Sequence, residues 1–167
     1  MEQDTKPKLP TMMSILLICS FINACLKIFS SIIMYFGTPI MVEMLENGQL
    51  ETMMQTFFAT LSDEEIQTMM DSTKLIASIN PIYHIINTVL FIASLVGVVK
   101  MLKIDKTGLH VYSISQLCMI IASSAYFYKL MPTSPFWSDV MVTVLFIVIY
   151  HLGFKQIEMR NNEQERA

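Results

Sequence analysis

Two polar side chains interrupt the first long apolar run of this 167-residue chain, in the stretch ICSFINACLKIFSSII. Asn23 and Lys27 stand four residues apart, so on a helix they share one face. A charged side chain in hydrocarbon costs ~2.5 to 3.5 kcal/mol on insertion scales, so it is expected to pair, to reach water or to extend to the interface. The two residues are therefore candidates for chemistry inside a membrane.

Three further polar residues are expected at a similar depth. His84 and Asn87 lie one turn apart in the second apolar run, and Asp139 lies at the start of the fourth. Together with Asn23 and Lys27 they predict an outer-leaflet cluster, with Asp139 as counter-ion and His84 titrating beside it. Such a cluster would carry protons or a solute, or would only lock the helices together. In the alternative, Asp139 stays among the headgroups at a helix N-terminus and Lys27 extends to the interface.

Four apolar runs must position these residues. Of all residues 53% are hydrophobic and 15% are charged, against about 25% charged in soluble domains. The runs cover roughly residues 12–36, 81–99, 109–130 and 136–154, close to the ~20 residues that a helix needs to cross hydrocarbon. Backbone groups in lipid must bond internally, so each run should be helical. The sequence predicts an all-α integral membrane protein, a single domain built as a four-helix transmembrane bundle.

Basic residues indicate the orientation of this bundle. Positively charged residues near span ends are retained on the cytoplasmic side. Eight of them fall on one side of the predicted spans: Lys6, Lys8, Lys100, Lys103, Lys106, Lys155, Arg160 and Arg166. We therefore predict a multi-pass protein of the cell membrane, of bacterial inner-membrane type. Both termini should be cytoplasmic, with residues 155–167 as a frayed polar tail.

Residues 37–80 form the longest predicted connection, and their pattern is amphipathic. Six apolar residues recur at the spacing of one helix face: Leu50, Met53, Met54, Phe57, Phe58 and Leu61. Seven acidic residues lie in the same connection against Lys74. The pattern predicts a helical extracytoplasmic cap between the first two spans. Its apolar face would lie on the membrane or the bundle, or else the cap would be an acidic docking surface.

Local signals divide this cap into helices. A short helix is predicted from Pro39 to Glu46, because proline suits a first turn and the following Asn-Gly suits a break. Ser62 and Glu65 form a capping-box pattern that should start another helix. Its predicted inner face comprises Ile66, Met69, Met70 and Thr73. Pro81 marks either a kink or the start of the second span.

Other residues able to do chemistry are better explained by packing. Cys19, Cys25 and Cys118 lie within spans without a paired spacing, and the small polar residues of the third span suit close helix contacts. His110 and His151 are expected at the interface. No HExxH, CxxC, GxSxG or glycine-rich phosphate motif occurs.

These patterns predict a non-enzymatic protein without a metal or cofactor. It would be an accessory or partner-binding subunit acting through the acidic cap or the bundle surface. Its expected partners are the lipid bilayer and another membrane protein or a second copy of the chain, with no nucleic acid. The alternative function is a small transporter or proton-coupled carrier that uses the polar cluster.

Overall fold

The computed structural model describes residues 9–126 and 136–166, and these form helices without any strand. The helices are α1 Thr11–Glu46, α2 Gln49–Phe57, α3 Asp63–Ala77, α4 Pro81–Leu102, α5 Thr107–Tyr126 and α6 Phe136–Arg166. Lys6, Lys8, Lys129 and the predicted outer end of the third span lie outside the described residues.

Four of the six helices are long and apolar enough to cross a membrane: α1, α4, α5 and the part of α6 from Trp137 to Arg160. Only 17% to 33% of the residues in the most apolar part of each helix are buried against the rest of the protein, as is typical of helices that face lipid. The prediction of an all-helical chain with four candidate spans is confirmed, and a membrane location is consistent with it.

α1 is longer than the sequence predicted. It runs for 36 residues without a break, so the separate helix predicted from Pro39 to Glu46 is wrong. Pro39 lacks an N–H, so the carbonyl of Tyr35 four residues earlier loses its usual helical donor, yet the helix continues through this position. The hydroxyl of the preceding Thr38 donates to the carbonyl of Met34 at 2.6 Å. The break comes at Gly48 (φ +68°), as the Asn-Gly pair predicted.

α4 packs along both α1 and α5 and forms the middle of the structure. It crosses α5 at two glycines whose backbones nearly touch, because a Cβ on Gly108 would lie 2.6 Å from the carbonyl oxygen of Gly97. Two hydrogen bonds extend this contact, from Gln116 Nε2 to Ser94 Oγ (3.1 Å) and between the hydroxyls of Tyr83 and Ser123 (3.1 Å). Polar residues of the third span thus act as a packing seam.

A tight turn joins α4 to α5. Ile104 adopts a φ of 62°, which is unusual for a β-branched residue, and its side chain packs against the core. The carboxylate of Asp105 accepts hydrogen bonds from the hydroxyl (2.7 Å) and amide (2.9 Å) of Thr107 and pairs with Lys100 at 3.4 Å. These Thr107 donors, followed by the Lys100 charge, hold the pKa of Asp105 below its ordinary value. Asp105 therefore stays ionised in this turn, with its charge balanced by Lys100.

α6 packs on the other helices through its second half. Tyr150, Phe154 and Ile157 are buried there, and the sulfur of Met13 on α1 lies against Gly153. We call this end of the structure, which carries Lys100, Lys103, Lys106 and Lys155, the Lys-rich end.

The first half of α6 has a different environment. Met141, Val142 and Leu145 are exposed, so the described residues do not close a four-helix bundle along its whole length. The last part of α6 is helical as far as Arg166 rather than frayed, and Lys106 pairs with Glu158 there at 2.8 Å. The buried Ile157 and the Lys106–Glu158 pair hold the first turn beyond the predicted span.

The predicted cap region contains α2 and α3. Ile66 and Met70 of α3 are buried, and Met69 and Thr73 are half-buried, as the predicted inner face requires. The capping box is formed as predicted, with Ser62 and Glu65 bonded reciprocally. α4 begins at Pro81 behind an Asn80 cap, so the Asn-Pro pair starts the span rather than kinking it. No residue of α2 is buried.

Candidate intramembrane polar site

His84 and Asn87 form a buried polar pair in the first turns of α4. The Asn80 side chain accepts from the amide of Ile82 and fixes the start of the helix, so residues 84 and 87 point to the same side. Their exposed fractions are only 6% and 8%. Within residues 9–126 and 136–166, the Nε2 atom of His84 and the Oδ1 atom of Asn87 have no hydrogen-bond partner. An unsatisfied buried group of this kind costs about 1 to 3 kcal/mol.

Aromatic and hydroxyl groups lie next to this pair. The ring of Tyr83 meets the imidazole of His84 edge-on at 5.6 Å and also contacts Tyr126 on α5 at 5.6 Å. On α1, Ser31 is buried although it is polar. Leu17 on α1 and Val98 on α4 belong to one buried core. Ser31 lies fourteen residues after Leu17, and His84 lies fourteen residues before Val98 on the helix that runs in the opposite direction. The serine hydroxyl and the imidazole are therefore at similar heights in the structure.

Asn23 and Lys27 are on the outer surface of α1. The face of α1 that packs inward carries Leu17, Ser20 and Ala24, which are buried, whereas Asn23 and Lys27 are exposed. Lys27 forms no ion pair or hydrogen bond with any part of the chain that the structure describes. The orientation of α1 about its own axis therefore keeps Asn23 and Lys27 away from the buried pair on α4.

Asp139 is exposed in the first turn of α6 and does not pair with Lys27 within the described residues. The structure brings His84 and Asn87 together and leaves Asn23, Lys27 and Asp139 at the surface. This placement resembles the alternative in which both charges stay near an interface. A functional cluster of all five residues stays a prediction.

Lys27 and Asp139 nevertheless occupy equivalent heights. Met13 and Gly153 are in contact, and each charged residue lies fourteen residues from that contact along its own helix. At 1.5 Å per residue both are about 21 Å from this contact, on the side away from the Lys-rich end. Opposite charges therefore lie at one level on two different helices.

The predicted apolar face of the cap is mainly at the surface. Leu50, Met54 and Leu61 are half-buried, whereas Met53, Phe57 and Phe58 are exposed, Phe57 to 75%. This face is therefore free to contact lipid or a partner.

A groove between α5 and α6 brings together two histidines that were expected separately at the interface. His110, Ser113 and His151 lie on its walls with apolar residues around them. Their spacing along the sequence gave no sign of this approach, because it depends on how α5 and α6 pack. Within residues 9–126 and 136–166, no three His, Cys, Asp or Glu side chains are grouped as metal ligands would be.

No protein-family model, curated protein sequence or solved structure matches this chain.

Proposed function

We propose that the chain is a non-enzymatic membrane subunit that binds a partner through its bundle surface. The binding surface would be the exposed face of α1 at Asn23 and Lys27 together with the outer half of α6 at Asp139. The observation that carries the proposal is the exposure of Lys27 on an apolar helix without a bonding partner in the described chain.

The energetics of a membrane favour such a partner. A lipid-facing charge costs ~2.5 to 3.5 kcal/mol on insertion scales, and pairing in a second protein lowers that cost. Leu26 and Phe29, which flank the stripe, are 63% and 64% exposed. Apolar side chains alone do not drive association in lipid, so Asn23 and Lys27 would supply the specificity.

The simplest partner is a second copy of the chain. Each copy offers Lys27 on α1 and Asp139 on α6 at one height, so Lys27 of one copy can meet Asp139 of the next. Such a contact joins two different surfaces, and repeated contacts would build a ring if the rotation closes. The acidic cap offers a second surface, but Phe57 and its neighbours are equally suited to lying on the membrane.

Energy transfer between labelled copies tests self-association. Donor- and acceptor-labelled full-length chains would be mixed in phosphatidylcholine vesicles, and transfer above the random level is expected. Lys27→Glu and Asp139→Lys should each lower it, and a mixture of the two variants should restore it. Lys103→Glu, at an exposed position on the Lys-rich end, is the matched control and should leave transfer unchanged.

A photo-crosslinking amino acid at position 23 tests for any other protein partner in native membranes. An adduct is expected from position 23, whereas the same amino acid at the exposed Val89 of α4 should give none. If neither a dimer nor a protein adduct forms from position 23, the proposed function is wrong.

Transport is the second candidate function, and the unpaired atoms of His84 and Asn87 favour it. A pathway would need polar groups that can bind a passing proton or solute, and His84 Nε2 and Asn87 Oδ1 are buried without a hydrogen-bond partner in the described part of the chain. Proteoliposomes with an imposed pH gradient provide the test. We expect no flux above protein-free vesicles; a flux that His84→Leu abolishes would instead support a carrier.

A further inference from the structure

The groove between α5 and α6 has a mainly apolar lining that also includes His110, Ser113 and His151. Its volume is about 250 Å³, and Leu109, Ile147, Val148 and Leu152 provide most of its lining. His110 and His151 contribute from opposite helices, and both are exposed. Since α5 and α6 are candidate spans, we expect the groove to be exposed to lipid acyl chains.

Basic residues continue the groove toward the Lys-rich end. Lys155 follows His151 by four residues on α6, so these two residues share one helical face, and Lys106 lies in the turn directly before α5. α5 leads away from this end and α6 returns to it, which places both lysines on the same side of the histidines. Ile147 and Val148 therefore lie on the far side of the imidazoles, and the ammonium groups lie on the near side, toward the Lys-rich end.

The charges around this end leave a net positive surface. Glu158 is paired with Lys106 at 2.8 Å, and Asp105 is paired with Lys100 at 3.4 Å. The Lys106–Glu158 pair also joins α5 to α6 beyond the groove. Lys155 forms no ion pair among the described residues and is exposed, so its charge remains available.

We propose that this groove binds one anionic glycerophospholipid. An acyl chain would lie along Ile147 and Val148, on the side of the histidines away from the Lys-rich end, and the headgroup phosphate would accept hydrogen bonds from His110 and His151 and face the Lys155 ammonium. Basic pockets between transmembrane helices bind anionic headgroups in this way. The ligand needs both an apolar chain and a phosphate, because the walls and the end of the groove differ in chemistry. The proposal is independent of the partner-binding function.

Native mass spectrometry of the purified full-length chain in detergent tests the preference. We expect phosphatidylglycerol to bind more tightly than phosphatidylcholine with the same acyl chains. Lys155→Gln should weaken phosphatidylglycerol binding about fivefold, the effect of one basic residue near an anionic lipid. Lys74→Gln, which removes an exposed positive charge on α3, is the matched control and should change nothing. Inorganic phosphate should not compete, which distinguishes a lipid site from a free-anion site.

A photoactivatable phosphatidylglycerol locates the site in the wild-type chain, so the answer does not depend on how a variant folds. Adducts on residues 109–113 and 147–152 are expected. Equal binding of the two lipids, competition by inorganic phosphate, an unchanged affinity in Lys155→Gln, or adducts spread evenly over α1 and α4 would each overturn the proposal.

Discussion

The hydroxyl of Tyr150 lies 2.7 Å from Ser20 Oγ and joins the second half of α6 to α1. Tyr150 is fully buried, and its ring meets those of Tyr112 (5.4 Å) and Phe146 (5.9 Å) edge-on. The hydrogen bond therefore links α6 to α1 beside a buried core at the Lys-rich end, to which all four candidate spans contribute residues.

Loss of this hydrogen bond should weaken the attachment of α6. We expect Tyr150→Phe to lower the free energy of unfolding by about 0.6 to 1.7 kcal/mol, the range for interhelical hydrogen bonds in membranes. Ser20→Ala should cost a similar amount, and the double variant should cost little more than either single one. Reversible unfolding in mixed micelles measures these values. Tyr35→Phe on α1 is the control, and a fully additive double variant would contradict the assigned bond.

The glycine contact between α4 and α5 should not accept a larger residue. A Cβ on Gly97 would lie 2.7 Å from the amide nitrogen of Tyr112, so Gly97→Ala must force the two backbones apart. We expect a loss of about 1 to 3 kcal/mol, as for overpacked cores. Thermal unfolding measures it. Gly37→Ala on α1 is the matched control because nothing lies within 4 Å of its added Cβ. Equal stability of both variants would exclude this close approach.

The sequence predicted the helical elements better than their contacts. Hydrophobic run length was enough to find the four candidate spans, and local signals at Gly48, Ser62 and Pro81 were enough to place three helix boundaries. Pro39 misled because a proline removes one helical hydrogen bond, and this local signal does not show whether a long helix continues through it. The helical end of α6 was missed because Ile157 is buried by packing that a polar tail does not suggest.

For the candidate site, the sequence predicted the depth of the polar residues but not which of them face one another. Residue spacing gives the depth of a side chain, and it placed Lys27 and Asp139 at one height. It does not give the rotation of a helix, which depends on contacts such as those of Leu17 and Ala24. Those contacts direct Lys27 outward, away from the buried pair of His84 and Asn87.

The capping box makes the start of α3 sensitive to acid. The backbone amide of Ser62, followed by its hydroxyl, donates to Glu65 and holds the pKa of this carboxyl below its usual 4.5. Its contribution to stability is therefore complete above pH 4.5 and is lost as the pH falls through the lowered pKa. Amide hydrogen exchange at Ile66 should accelerate relative to its intrinsic rate in that window. Glu65→Gln keeps an acceptor without titrating and should remove the dependence; if it persists, another group is responsible.

Removal of the unpaired polar atoms on α4 should stabilise the chain or leave it unchanged. Oδ1 of Asn87 has no hydrogen-bond partner among the residues that the structure describes, so Asn87→Leu should relieve a desolvation cost of about 1 to 3 kcal/mol. Ser94→Ala, two turns further along the same helix, is the matched control. It should destabilise the chain because Gln116 Nε2 then loses its acceptor. Thermal unfolding of both variants in one detergent measures the difference. If Asn87→Leu instead destabilised as much as Ser94→Ala, a bound water or solute would have to satisfy Asn87. That result would turn the buried pair with His84 into a binding site and strengthen the case for transport.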